Sequence, residues 1–187
     1  MGYLHPAVSK AEADEVLENV KNEHPTATHH CYAWRINPNN IEEYDQDDGE
    51  PGGTAGLPIL NALKSDDLLN CIAVSVRYYG GTKLGKSGLI DAYGESARLC
   101  IKKARLKEVI PTQTYRIIYQ YTHQGIIDKL KNDFTLIELN SEYMENVSLK
   151  IGIPKTETVR FEGKISSHLH LFDDFEECGE SYHIKKI

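Results

Sequence analysis

Residues Cys71 to Lys103 read CIAVSVRYYGGTKLGKSGLIDAYGESARLCIKK, and strand, glycine-loop and helix signals follow one another there without a gap. Ile72, Val74, Val76 and Tyr78 alternate with Ala73, Ser75, Arg77 and Tyr79, the period-two pattern of a strand with one strongly apolar face. Gly80, Gly81, Gly85 and Gly88 break that period, and Leu89, Tyr93, Ala97, Cys100 and Ala104 restore an apolar stripe at helical spacing. A helix start presents unpaired backbone N–H groups and the positive end of the helix dipole, and glycines let a ligand approach the backbone closely. With Arg77 leading into the loop and Lys83 and Lys86 inside it, the natural guest is an anion. The plainer alternative is a tight turn with solvated lysines. The candidate anion or nucleic-acid site is therefore Arg77, Gly80, Gly81, Lys83, Gly85, Lys86, Ser87 and Gly88.

Gly80 to Ser87, GGTKLGKS, also matches the phosphate-binding pattern G-x-x-x-x-G-K-[ST] letter for letter. In a nucleotide hydrolase, Lys86 would reach the terminal phosphates and Ser87 would hold magnesium. Three observations count against that reading. Two units of secondary structure precede the loop where the motif would normally open a parallel sheet. No later apolar strand ends in an Asp that would serve the metal, since Ile151 to Lys155 ends in Pro and Lys. The chain after the loop is also short for a hydrolase core.

The composition is that of a soluble globular chain, 40% hydrophobic and 26% charged over 187 residues, which excludes a disordered or fibrous class. No apolar run approaches the length that spans a bilayer and Met1 to Lys10 has no signal-peptide core, so a cytoplasmic protein is expected. Cys31, Cys71, Cys100 and Cys178 form no C-x-x-C pair, and neither a zinc site nor a disulfide framework is expected. A net charge of -7 argues against indiscriminate nucleic-acid binding, but the charge is unevenly spread. Cys71 to Arg105 holds seven basic residues, among them Arg98, Lys102, Lys103 and Arg105, against Asp91 and Glu95. Ile41 to Leu63 holds no Lys or Arg and six acidic residues.

Ser9 and Glu12 have capping-box spacing, and Ala13, Val16, Leu17 and Val20 lie on one face, which predicts a helix from about Lys10 to Glu23. Ala27 to Ile36 alternates as a strand, with His29 and Cys31 on one face. These two are a candidate catalytic or metal pair, although two such residues in a strand are more often packing residues and no third ligand has suitable spacing. Asn37 to Gly53 has no apolar period and reads as a long surface loop, in which Asp47, Asp48, Glu50 and Thr54 form a secondary site candidate. Its carboxylates have the chemistry for a hard cation such as magnesium. Thr54 is placed to cap a short helix through Leu57, Leu60 and Leu63. Beyond Pro111 the pattern is strand Tyr115 to Tyr121, helix Gln124 to about Asp133, and a strand near Thr135 to Asn140. Strand Val147 to Ile153, helix about Thr156 to Leu171 and strand about Tyr182 to Ile187 complete the β-α-β-β-α-β, ferredoxin-like order.

ATHHCYAW (Ala27 to Trp34), DDGEPGGTAG (Asp47 to Gly56) and RYYGGTKLG (Arg77 to Gly85) resemble, in order and spacing, the signature segments of the IMPACT/YigZ family, in its bacterial form. The resemblance is specific over about the first three-fifths of the chain. It implies an α+β protein of two domains. The first, over 1–110, would be a β-α sandwich of left-handed βαβ type, as in a ribosomal small-subunit protein and elongation factor G. The second, over 111–187, would be ferredoxin-like and akin to the last domain of elongation factor G. Eukaryotic members restrain a kinase of translation initiation factor two through an additional domain for which this chain has no room, so that role is not carried over. The family loop reads Gly-x-Gly-Gly where this chain has Gly85-Lys86-Ser87-Gly88, so the letters completing the nucleotide pattern are a departure from the family.

The expectation is a non-catalytic, translation-associated protein that binds RNA or a ribosome-associated surface, with no cofactor and no metal. The rival is a magnesium-dependent enzyme acting on a nucleotide or phosphorylated small molecule, with Asp47, Asp48 or Glu50 holding the metal and Arg77 on phosphate. A third reading pairs the acidic loop with the basic helix in self-assembly.

Overall fold

The computed structural model describes residues 1–185. It is an α+β structure with two four-stranded antiparallel sheets and five α-helices, divided into two compact units, Met1–Leu106 and the remainder from Lys107.

The first unit contains β1 (Gly2–Pro6), α1 (Lys10–Glu23), β2 (His29–Ile36), β3 (Glu42–Gln46), α2 (Gly56–Ser65), β4 (Cys71–Arg77) and α3 (Gly85–Lys103). Its sheet order is β1-β4-β2-β3, with every neighbouring pair antiparallel. β1 and β2 therefore run in one direction on either side of β4, with α1 as the crossover between them.

The two central strands are buried on both faces because helices cover both. Trp34, Ile36, Ile72, Val74 and Val76 pack with Ala13, Leu17 and Val20 of α1. On the opposite face the strand residues are small, Cys31, Ala33, Cys71 and Ala73, and they admit Ile59 and Leu63 of α2 with Leu89, Tyr93, Ala97 and Ile101 of α3. Small residues here let two helices sit close to one sheet face, where larger ones would overfill the core. Ser9 caps α1 by accepting from the Glu12 N–H, as its spacing predicts.

The stretch Asn37 to Gly53 is not all loop. Glu42–Gln46 pairs with β2 as an edge strand, with Trp34 opposite Tyr44 and their rings 5.8 Å apart. Charged residues that blunt an exposed edge also erase the apolar alternation by which a strand is read. A strand before Ser9, unassigned from sequence, is present as β1.

The second unit contains β5 (Val109–Tyr119), α4 (Gln124–Asp133), β6 (Ile137–Tyr143), β7 (Val147–Pro154), α5 (Thr158–Ser166) and β8 (Asp174–Ile184), in sheet order β6-β7-β5-β8. Tyr115, Ile117, Leu149, Ile151 and Ile153 meet Ile127, Leu130, Phe161 and Ile165 in one core. β5 starts six residues ahead of the Tyr115 read from sequence, and Pro111 lies inside it. The Pro111 carbonyl accepts from Lys155, just past the end of β7 at Pro154, so the missing N–H falls where the β7 ladder has ended. α5 stops at Ser166 rather than Leu171. β8 starts at Asp174 rather than Tyr182, its acidic start DFEECGE concealing the strand, and the sequence-predicted end at Ile187 lies outside the described residues.

Gly56 is the tightest constraint in the first unit. A Cβ there would stand 2.5 Å from the Gln46 backbone nitrogen, and backbone of a paired strand cannot yield as a side chain can. Gly56→Ala should cost about 1–3 kcal/mol of stability, read as a lowered denaturation midpoint at unchanged slope; an unaltered midpoint would show that α2 does not seat on β3 in this way.

Candidate functional site

β4 delivers Arg77 to the edge of the core, and the chain then runs through exposed Tyr78 and Tyr79 into the glycine loop. Gly81 (φ 92°) and Gly85 (φ 71°) occupy the left-handed region where side chains are strained. α3 starts at Gly85 with no side-chain cap and no acidic residue in its first turn. Its first N–H groups thus lack side-chain acceptors, while Lys86 and Ser87 stand exposed in that turn. Gly88 is half-buried, and a Cβ there would lie 3.2 Å from the Leu84 Cβ. Lys83 and Lys86 are exposed and form no ion pair among the described residues. On the far end of α3, Arg98 pairs with Glu95 at 3.0 Å.

The acidic segment is built around Asp47. Its carboxylate accepts from the backbone N–H groups of Gly53 (2.7 Å), Ala55 (2.9 Å) and Gly56 (2.9 Å), which makes it the acceptor at the start of α2. Thr54 does not cap that helix as its spacing predicts. Its hydroxyl donates to the Pro51 carbonyl at 2.6 Å, and the residue is buried. Asp48, with positive φ of 45°, accepts from the His30 N–H at 2.6 Å, and its carbonyl bonds the His29 Nδ1 at 2.8 Å. Two of the three carboxylates proposed for a cation are therefore committed to backbone. Among the described residues, no group of three or more His, Cys, Asp or Glu is placed to hold a metal ion. Burial pushes the Cys31 thiol up to about 12, so it stays a neutral packing group and is no nucleophile at neutral pH.

Glu50 is the residue that ties the acidic segment to the end of β4 and to α3. Its Oε1 accepts from Arg77 Nη1 at 2.5 Å and from the Tyr93 hydroxyl at 2.7 Å, with His29 Nε2 at 3.9 Å. The side chain is only 5% exposed. The Arg77 guanidinium also lies 5.4 Å from the Tyr79 ring centroid. Beside this pair lies a cavity of about 380 Å³, lined by Thr28, His29, Glu50, Pro51, Arg77, Tyr79, Lys83 to Lys86 and Leu89. A second cavity of about 340 Å³, in the second unit, is lined by α4 and α5 residues such as Ile126, Lys129, Lys164 and His168, none of which carries a recognisable binding pattern.

The letter match to the nucleotide loop lacks its structural setting. β4 is antiparallel to both neighbours, whereas that motif works between a parallel strand and its helix. Of the sequence-predicted site, Arg77, Lys83, Gly85 and Lys86 converge on the cavity, whereas Gly80, Gly81, Ser87 and Gly88 shape the loop and helix start around it. Tyr79, Leu89, Tyr93 and the bond between Glu50 and Arg77 were not foreseen. Their only sequence signal is an acidic and a basic segment of opposite sign.

These features define a small α+β protein of two antiparallel-sheet units, with a mixed-charge cavity at a helix start in the first. The family model for the Impact N-terminal domain matches residues 1–101. The chain is 32% identical to the IMPACT family member YvyE of Bacillus subtilis, over 98% of this chain and 84% of that one. It is 34% identical to the IMPACT family member YigZ of Escherichia coli, over 82% and 76% respectively. A solved crystal structure described as that of a hypothetical protein covers all of this chain and 87% of its own, with a TM-score of 0.58 at 29% identity. The chain belongs to the IMPACT family.

Burial raises the carboxyl affinity for protons at both Asp47 and Glu50, but other contacts outweigh it and hold both groups below the ordinary carboxylate range. For Asp47 these are the backbone N–H bonds; for Glu50 they are the Tyr93 and Arg77 bonds. Because the folded values are depressed, their stabilisation is complete above about pH 5 and is lost as pH falls. Asp47→Asn sets an amide against backbone N–H groups and should cost about 1–2 kcal/mol at pH 7. It should also flatten the decline of melting temperature below about pH 5; an acid limb as steep as that of the wild type would contradict the assignment.

Proposed function

We propose that this protein is non-catalytic and binds RNA, or an RNA-bearing ribosomal surface, through the start of α3. The observation that carries the reading is the uncapped helix start beside two exposed lysines, Lys83 and Lys86, that are unpaired among the described residues, with Tyr79 exposed nearby. Backbone N–H groups and lysines suit phosphate, and an exposed ring suits a base, a combination typical of single-strand binding. Lys102 and Lys103 add further positive charge in the last turn of α3. The β-α-β-β-α-β order of the second unit, with sheet order β6-β7-β5-β8, supports a ferredoxin-like domain akin to that of elongation factor G. The first unit is then the ribosomal-protein-like, left-handed βαβ partner, and a cytoplasmic, translation-associated role follows from both. Fold kinship alone is a weak warrant for function; the phosphate-competent rim is the stronger support.

The cavity volume favours one second reading, since about 380 Å³ lies in the range of small-ligand pockets. In that version the guest is a nucleotide or phosphorylated metabolite, and millimolar nucleotide with magnesium should raise the melting temperature.

For the RNA reading, affinity for a short single strand should fall steeply with salt. Lys83→Ala with Lys86→Ala should reduce the slope of log K against log salt by about 1.4, at about 0.7 per phosphate contact. Fluorescence anisotropy across a salt series measures it, and an unchanged slope would refute the assignment of these lysines.

A further inference from the structure

His29 lines the cavity, yet the phosphate-binding reading gives it no part. One side of its ring is fixed. Nδ1 lies 2.8 Å from the Asp48 carbonyl oxygen, which only accepts, so Nδ1 carries a hydrogen there. The other nitrogen, Nε2, lies 3.9 Å from Glu50 Oε1, longer than a hydrogen bond. In the neutral ring Nε2 is then a lone-pair acceptor, and on protonation it becomes a donor. A phosphate oxygen repels the first form and is bound by the second.

The charges facing the ring oppose one another. Arg77, its cross-strand partner on β4, disfavours a proton, and Glu50 favours one. These two are paired with each other, and Tyr93 of α3 donates to the same Glu50 oxygen. The Asp48 carboxylate accepts from the His30 N–H, and the Cys31 thiol, further along β2, is neutral. Lys83 and Lys86 complete the charged lining. Among the described lining residues, only His29 is of a type that gains charge between about pH 8 and pH 5.

We infer that His29 is a proton-linked phosphate contact of this cavity: as imidazolium it donates Nε2–H to the anion, so that phosphate binding and protonation of His29 strengthen each other. This rests on the phosphate-binding reading above and adds a contact and a pH dependence to it. The linkage is reciprocal, and each event favours the other by the same factor.

The test measures binding of the full chain to a short oligo(U) by fluorescence anisotropy, from about pH 8 to about pH 5.5 at one low ionic strength. The strand has hydroxyl ends, so that no phosphate monoester titrates, and carries a pH-insensitive dye. Affinity should rise by about fivefold to tenfold as pH falls, the low end of couplings between sites. In His29→Asn, whose amide N–H still reaches the Asp48 carbonyl but does not titrate, the rise should shrink to within about twofold. Should that variant fail to fold, proton NMR of the wild type gives the same information, since bound strand should move the titration of the His29 ring to higher pH. A wild-type affinity that does not change with pH would overturn the linkage while leaving phosphate binding intact. A pH dependence that survives His29→Asn, or a ring titration unmoved by the strand, would overturn the role of His29. No binding at any pH at low salt would overturn both readings.

Discussion

The buried carboxylate of Glu50 ties the first unit together at its functional end. It draws Arg77 from the end of β4, Tyr93 from α3 and His29 from β2 to one point. Removing one partner of such a buried pair leaves a charge without compensation, typically at a cost of 3–5 kcal/mol. Taking both away and filling the space with apolar groups can be neutral. The pair is therefore better understood as a device for placement than as a source of stability. It holds the acidic segment against the glycine loop and so defines the cavity.

The two helix starts of this unit show how the same physical problem is met in different ways. At α2 the unpaired N–H groups are taken internally by Asp47, and Gly56 lets the backbone of β3 approach. At α3 no side chain serves that purpose, and the charges nearby are lysines. An anion is stabilised at such an end by dipole and N–H groups together. The Glu50 carboxylate in the cavity lining stops this from being a plain cationic patch and adds an acceptor beside the donors.

Much of this was legible in the sequence, and the failures have physical causes. The strand, glycine loop and helix were readable because their periods change abruptly at Gly80 and Leu89. The α1 cap at Ser9 was readable because capping is local. β3 and most of β8 were hidden because solvated edge strands carry charge where buried strands carry alternating apolar residues. The capping role fell to Asp47 rather than Thr54 because a carboxylate arriving from outside the helix has no fixed spacing. The bond from Glu50 to Arg77 spans 27 positions and joins a loop to a strand end, so nothing periodic announces it. Family membership was carried by three short motifs, and all three border the cavity or its supports.

The account stands or falls on whether ligand enters between the two segments that Glu50 joins. The most direct measurement is a titration of isotopically labelled full-length protein with a short single-stranded RNA, following backbone amide resonances. The account predicts that the largest shifts fall on Lys83 to Leu89 and on Glu50 and Arg77 together. Shifts confined to the second unit, or to the glycine loop with Glu50 unmoved, would contradict it.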